Sequence, residues 1–213
     1  MNDGVFAFRN DAKNINEYFA ELNYQEDAQG VPMVLGDLVL KDENGVFIDS
    51  YSIKIVATEC YPFCFPWVYE TGERVPINND WHVFLDGHCC IKAFQEEILL
   101  CKKGISLVWF IKEQVVPYFF NQKYREQNGF FLHERSHGRL GDLEFFKQYF
   151  NTQDIQLTID LLKETQKINE RKSNSKCLCG SKKKFRKCHR RSLRALRIFP
   201  KSWIQGLISS FSN

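Results

Sequence analysis

Hydrophobic residues change their rhythm along the chain, and the changes mark out its elements. In "NINEYFAELNYQ", Ile15, Phe19 and Leu22 share one side of a 3.6-residue spiral, which predicts an opening helix. The rhythm then shortens to two. In "VPMVLGDLVLKDENGVFIDSYSIKIVATE", Tyr51, Ile53 and Ile55 alternate with polar neighbours, and "DENG" after the Val39 strand supplies a turn. Such a pattern predicts an antiparallel meander. Strand character runs to about Tyr69 and resumes in "WHVFLDGHCCI", where Asp86-Gly87 signals a tight hairpin. After Ile91 the text turns helical: "ISLVWFIKEQVVPYFFNQKYREQ" is bulky and apolar, with Pro117 as a break or kink. Two shorter helices follow in "DLEFFKQYF" and "DIQLTIDLLKETQKI", the second with Ile155, Ile159 and Leu162 on one stripe. Helix, meander, cysteine-bearing turn, helices: the order predicts an α+β fold.

Composition sets the class. The chain has 213 residues, 44% of them hydrophobic and 26% charged, enough for one main domain and an appendage. Its opening, "MNDGVFAFRNDAKN", lacks the positive end and apolar run of a secretory signal, and "CYPFCFPWVY" is cut by Pro62 and Pro66. Both features predict a cytoplasmic protein. There the eight cysteines are expected as free thiols or metal ligands rather than disulfides, with Cys60, Cys64 and Cys101 packing.

Charge divides the chain in two. From Arg171 onward there are 13 Lys and Arg and no acid, whereas residues 1–170 hold 16 basic and 26 acidic residues, a net charge of −10. Two modules are expected, 1–170 and 171–213, joined near the polar "NERKSNSK".

The basic module contains "CLCGSKKKFRKCH", which spaces Cys177, Cys179, Cys188 and His189 as C-x-C-x8-C-H. Three thiolates and an imidazole complete a tetrahedral structural zinc site with no position left open for chemistry. Six Lys and Arg between Lys176 and Lys187 favour the thiolate forms. This stretch resembles the SEC-C motif, a small zinc module attached to many unrelated proteins, with His189 where many members carry cysteine. In that family the module is a docking or accessory element.

The acidic module raises a question at "DGHCCI": two adjacent thiols, Cys89 and Cys90. In an extended segment they point to opposite faces, so one enters the core as a small hydrophobe and the other faces outward. Upstream, Tyr61-Pro62-Phe63, Pro66 and Val68 in "YPFCFPWV" resemble the "YPF-x-PP-x-V" element of ubiquitin-conjugating enzymes. His82, Asp86-Gly87 and "HCCI" then stand where that family has its histidine, its glycine turn and its nucleophilic cysteine. The resemblance implies that Cys90 is the nucleophile and that His82 shapes or assists the site. His82 is followed by Val83 and Phe84, so the family's proline and asparagine are missing, and the histidine-to-cysteine spacing is one residue shorter. Ubiquitin-conjugating-like proteins of bacterial anti-phage (CBASS) operons also lack that asparagine, and "HERSHGRLGDLEFF" resembles a segment in them. His88, His133 and His137 are further candidate proton carriers.

Three functions follow as expectations. The first is a cysteine acyltransferase whose Cys90 carries a thioester. By resemblance its cargo is the C-terminus of a ubiquitin-like protein or a cyclic-nucleotide synthase. With no phosphate loop, the chain needs a separate activating enzyme or preactivated cargo. The second is an inert adaptor that recruits a partner protein through its zinc module and basic tail. Nucleic-acid binding ranks last, because few aromatics interleave the basic residues and the acidic module repels phosphate. For the tail stripe of Trp203, Ile204, Leu207, Ile208 and Phe211, docking onto the protein itself ranks before a partner, and a membrane surface third.

Overall fold

Alternation in the middle of the first unit folds as expected. β1 (Leu22–Glu26), β2 (Pro32–Lys41), β3 (Phe47–Val56) and β4 (Trp67–Glu70) form one antiparallel sheet in the order β1-β2-β3-β4. Pairs such as Val34↔Ile55 and Leu38↔Tyr51 place the buried residues of neighbouring strands on one face. Asp42 closes the β2–β3 turn, its carboxylate accepting from the N–H groups of Asn44 and Val46 at 2.9 and 2.8 Å. This computed structural model describes residues 3–132, 134 and 136–212.

The opening helix differs from the expectation. α1 spans Asp3–Ala12, whereas Ile15–Glu17 is a single 3-10 turn and Leu22 begins β1. Ile15 and Leu22 are both buried, as a helical face would have them, but by two different elements. Tertiary pairing overrides the local periodicity here: Leu22 pairs with Gly36, which adopts φ +140° and comes so close to the Glu21 carbonyl that a Cβ would overlap it.

Behind the sheet lie α2 (Phe94–Cys101), α3 (Leu107–Phe110), a π-helical turn (Ile111–Val115) and α4 (Val116–Asn128). Pro117 sits in the first turn of α4, where its missing N–H costs least, and the π turn precedes it. The Phe119 ring of α4 meets Tyr51 of β3 at 4.7 Å between centroids.

A charged clasp ties this helix to the sheet. Arg74 reaches Asp49 of β3 at 2.6 Å and Glu126 of α4 at 2.7 Å, and Lys123 adds a second contact to Asp49 at 2.7 Å. Hydrogen bonds from Arg74 hold the Asp49 carboxyl well below the ordinary carboxylate range, against the opposing effect of burial.

The chain divides into two compact units, Met1–His133 and Glu134–Asn213. The packing boundary therefore precedes the expected one at 170/171. α5 (Gly138–Phe150) and α6 (Ile155–Lys167) pack with the basic segment's α7 (Arg190–Ala195) and α8 (Lys201–Ser212) rather than extending the first module. Ile159 and Leu162 of the α6 stripe are buried, and Ile155 at its start is exposed. The tail stripe is accounted for in the same way: Ile204, Leu207 and Phe211 of α8 are buried. Among the described residues, no helix is long and apolar enough to cross a membrane.

Removing the clasp has a predictable cost. Arg74→Ala leaves two half-buried carboxylates sharing one lysine and is expected to destabilise the first unit by about 1–3 kcal/mol. The Asp49 contribution is present above the unfolded carboxylate value of about 3.9 and fades as pH falls through its lower folded value. Urea midpoints measured at neutral and acid pH should therefore show the mutant's deficit shrinking in acid.

Candidate functional site

Two clusters carry chemistry, one in each unit. In the second, a short knuckle is folded by backbone contacts. The N–H of Cys177 donates to the Lys183 carbonyl at 2.9 Å, Lys176 and Lys184 bridge, and Phe185 is buried beneath the loop. These contacts gather Cys177, Cys179, Cys188 and His189 so that their ligand atoms all lie within 4.8 Å of one another. His189 Nδ1 stands 3.3 Å from both Cys177 Sγ and Cys188 Sγ, and Cys179 Sγ is 3.5 Å from Cys188 Sγ. Four such atoms around one ion at zinc distances would be separated by about 3.5–3.8 Å, so the set fits a tetrahedral metal ion.

The surroundings favour that use. His189 Nε2 lies 2.9 Å from the Phe150 carbonyl. A proton held there fixes the ring so that Nδ1 presents its lone pair to the thiols. Burial pushes the Cys177 thiol up, but backbone N–H groups of Cys179 and His189 aimed at its sulfur bring it below its ordinary value. Burial acts on Cys179 likewise, and hydrogen bonds with Ser181, Cys188 and Cys177 together outweigh it, leaving that thiol at about 6. The arrangement favours the sulfur anion at Cys177 and Cys179, whereas burial pushes the Cys188 thiol up to about 11, so a divalent ion bound here would have to displace that proton.

The other cluster surrounds the paired cysteines. Phe84 N–H donates to the His88 carbonyl at 2.9 Å and Gly87 N–H to the Phe84 carbonyl at 2.8 Å, closing the hairpin expected at Asp86-Gly87. Its arms are bridges rather than full strands. Beyond it, Cys89 N–H donates to Val68 of β4 and Cys90 N–H to the His82 carbonyl, both at 2.7 Å. The bonds run to opposite sides, so the segment is extended and its side chains alternate. Cys89 is buried in the core, with its thiol pushed up to about 12 by that burial. Cys90 is half-buried and lines a groove of about 190 Å3.

Trp67, Phe84, His88, Phe94, Lys92 and Glu97 share that groove with Cys90. His88 stacks on Phe84 at 4.3 Å between ring centroids, and its Nδ1 lies 2.6 Å from Asp86 Oδ1. Glu97, in the first turn of α2, accepts from Phe65 N–H at 2.9 Å. Its carboxyl is raised by burial and the Cys90 thiol is raised too, by burial first and then by the Glu97 charge.

His82 is placed differently. It ends a 3-10 turn (Asn79–Trp81) in the left-handed region at φ +52°, and its ring lies 4.8 Å from that of Phe131. The ring does not line the Cys90 groove. What His82 gives Cys90 is its backbone carbonyl, which also accepts from Tyr118 Oη at 2.9 Å. His137 caps α5 in the other unit, and His133 lies outside the described residues.

One expectation about cysteine is corrected. Cys60 and Cys64 are joined as a disulfide rather than packing as free thiols. A turn at Cys60–Phe63, closed by a 2.8 Å backbone hydrogen bond, brings their Cα atoms to 5.5 Å, within bridging reach. Cys101 is free and buried, as expected. The sequence reading missed Glu97 and Lys92 entirely. No local signal separates a groove carboxylate from an ordinary residue in the first turn of a helix.

Comparison with known proteins supports one part of this picture. Residues 174–191 match the SEC-C motif, the stretch that holds the Cys177, Cys179, Cys188 and His189 cluster. No curated protein and no solved structure matches the chain.

Two outcomes check these sites. Fresh protein should carry about one equivalent of divalent metal, and a strong chelator or Cys188→Ser should loosen the helices of the second unit. Metal analysis alongside circular dichroism reads both effects. In the first unit, Glu97→Gln removes a negative neighbour and lowers the Cys90 pKa, so alkylation by iodoacetamide at mildly alkaline pH should speed up, by up to about tenfold. A pH series of modification rates, followed by intact mass, measures it.

Proposed function

We propose that this protein is a ubiquitin-conjugating-like acyl carrier that holds its cargo as a thioester on Cys90. One observation carries the reading. Of two adjacent thiols, Cys89 is enclosed in the core and Cys90 opens on a groove that also holds a carboxylate, Glu97, and a cation, Lys92. The cargo in this reading is the C-terminus of a ubiquitin-like protein or of a cyclic-nucleotide synthase, delivered by a separate activating enzyme. Bacterial anti-phage defence is the setting that the CBASS resemblance suggests.

Each step has a balanced form. The Cys90 sulfur attacks the carbonyl of an activated cargo thioester, a new S–C bond forms, and the donor thiol leaves with the proton. An acceptor amine then attacks the Cys90 thioester, a C–N bond forms, the C–S bond breaks, and the amine's proton passes to Glu97. Burial raises the Glu97 carboxyl, which suits a group that must both take up and release a proton. Lys92 offers positive charge to the transient oxyanion, in place of the family's missing asparagine. A thiol with a raised pKa is a poor nucleophile at rest and becomes reactive when a proton acceptor is at hand.

The ion of the second unit is proposed to be zinc, because three sulfurs and one imidazole suit it best and leave no position open for catalysis. The placement of the His82 ring away from the groove favours a second reading, in which the fold is an inert adaptor and the zinc module recruits a partner protein.

Intact-mass analysis without reductant, on protein purified with the products of its neighbouring genes, separates the two. The thioester reading expects a thiol-labile adduct that is lost in Cys90→Ser and kept in Cys89→Ser. An adduct that survives in Cys90→Ser moves the chemistry elsewhere, and the lack of any adduct leaves the adaptor.

A further inference from the structure

The second unit has a surface that neither the metal site nor the thioester reading uses. Residues 134–213 contain 18 Lys and Arg against 7 Asp and Glu, a net charge of +11. The acidic residues that weighed against a phosphate partner lie mostly in the first unit, which carries the remaining 19. Around the knuckle, Lys182, Lys183, Lys184, Arg186, Lys187 and Arg194 are all exposed. Among the described residues none of the six is in an ion pair; Arg171 with Glu164 and Lys163 with Asp160 are the pairs of this unit. Like charges held this close repel one another, and an anionic partner would relieve that cost.

Backbone geometry presents these charges in a fixed way. Lys182 stands at the loop tip in the left-handed region at φ +60°, a conformation that costs a non-glycine residue about 1 kcal/mol or more. Gly180 beside it, at φ +71°, adopts the same region without penalty. The backbone bridge of Lys176 with Lys184 closes the loop around them. The strained position thus falls on a lysine, in the middle of the basic run, with the ligand cluster anchoring both of its ends.

The rest of the surface identifies the partner. Among the described residues of this unit no aromatic side chain is exposed; Phe185, Phe199 and Phe211 are buried, and Trp203 is half-buried. A protein interface would be expected to offer aromatic anchors at its centre. Single-stranded nucleic acid is gripped by rings on which its bases stack. A surface of exposed cations without rings suits a duplex, whose phosphates need charge alone. We propose that the knuckle and α7 form a sequence-independent binding surface for the phosphate backbone of double-stranded nucleic acid.

The test uses the full, metal-loaded chain and a fluorescein-labelled random-sequence duplex, with fluorescence anisotropy as the readout. Binding is expected to weaken steeply as salt rises from about 50 to 200 mM, with a log–log slope near −4 if about four to six phosphates are engaged. Lys182→Glu with Lys183→Glu and Lys184→Glu should weaken binding by at least about tenfold and flatten the slope by about three. Unchanged metal content and circular dichroism would show that the triple variant is folded. Absence of binding at the lowest salt, or an affinity that ignores salt, would overturn the proposal. So would tighter binding to the single strand, or equal affinity for poly-glutamate, which would point to a stacking platform or to an acidic protein. None of these readouts depends on Cys90.

Discussion

Two backbone hydrogen bonds decide which sulfur this protein offers. Cys89 donates to Val68 and Cys90 to His82, to opposite sides, each at 2.7 Å. With both in place the segment is extended, and alternation alone sends Cys89 into the core and Cys90 to the groove. Slipping this register by one residue would exchange the two thiols, burying the second and exposing the first. The acceptors are therefore as important as the cysteines. Val68 is fixed by β4, and the His82 carbonyl by the turn before it and by the Tyr118 hydroxyl. Tyr118 belongs to α4, the helix that Arg74 clasps to the sheet, so the charged network and the groove are parts of one arrangement.

This dependence recasts the role of His82. A histidine upstream of a nucleophilic cysteine invites a side-chain role, yet its main link to Cys90 is a carbonyl that any residue would supply. What any residue would not supply cheaply is the left-handed backbone at φ +52°, which aims that carbonyl. A substitution here acts first on geometry and only then on chemistry. The groups that share the groove with Cys90 come from elsewhere: His88 from the hairpin, held by Asp86, and Glu97 from α2.

How much of this was legible in the sequence follows from the range of each interaction. Tyr51, Ile53 and Ile55 announced β3 because a strand's period is written in adjacent residues, and Asp86-Gly87 announced its turn for the same reason. The cluster that fits a metal ion was legible too, since its four residues fall within thirteen positions. Ile15, Phe19 and Leu22 misled, because burial at helical spacing was achieved by a turn and a strand, fixed by a glycine on the neighbouring strand. Cys60 and Cys64 hid their bond, since nothing in their spacing reports that the chain reverses between them. Arg74, Asp49 and Glu126 are far apart in sequence, so only folding brings them together.

The second unit shows the same logic applied to charge. Composition alone set the boundary where acids cease, at 170/171, whereas packing set it where hydrophobic faces stop meeting. α5 and α6 supply the faces against which the basic segment's own apolar residues pack: Phe146 and Leu162 are buried, as are Ile204 and Phe211 of α8. A segment with so many like charges repels itself when it condenses. The four-residue knuckle cluster on one side and helices α5 and α6 on the other give it a support, and Phe150, whose carbonyl meets the His189 ring, joins the two. The six cations around the knuckle, none of them in an ion pair among the described residues, consequently face outward on a support that does not require their neutralisation.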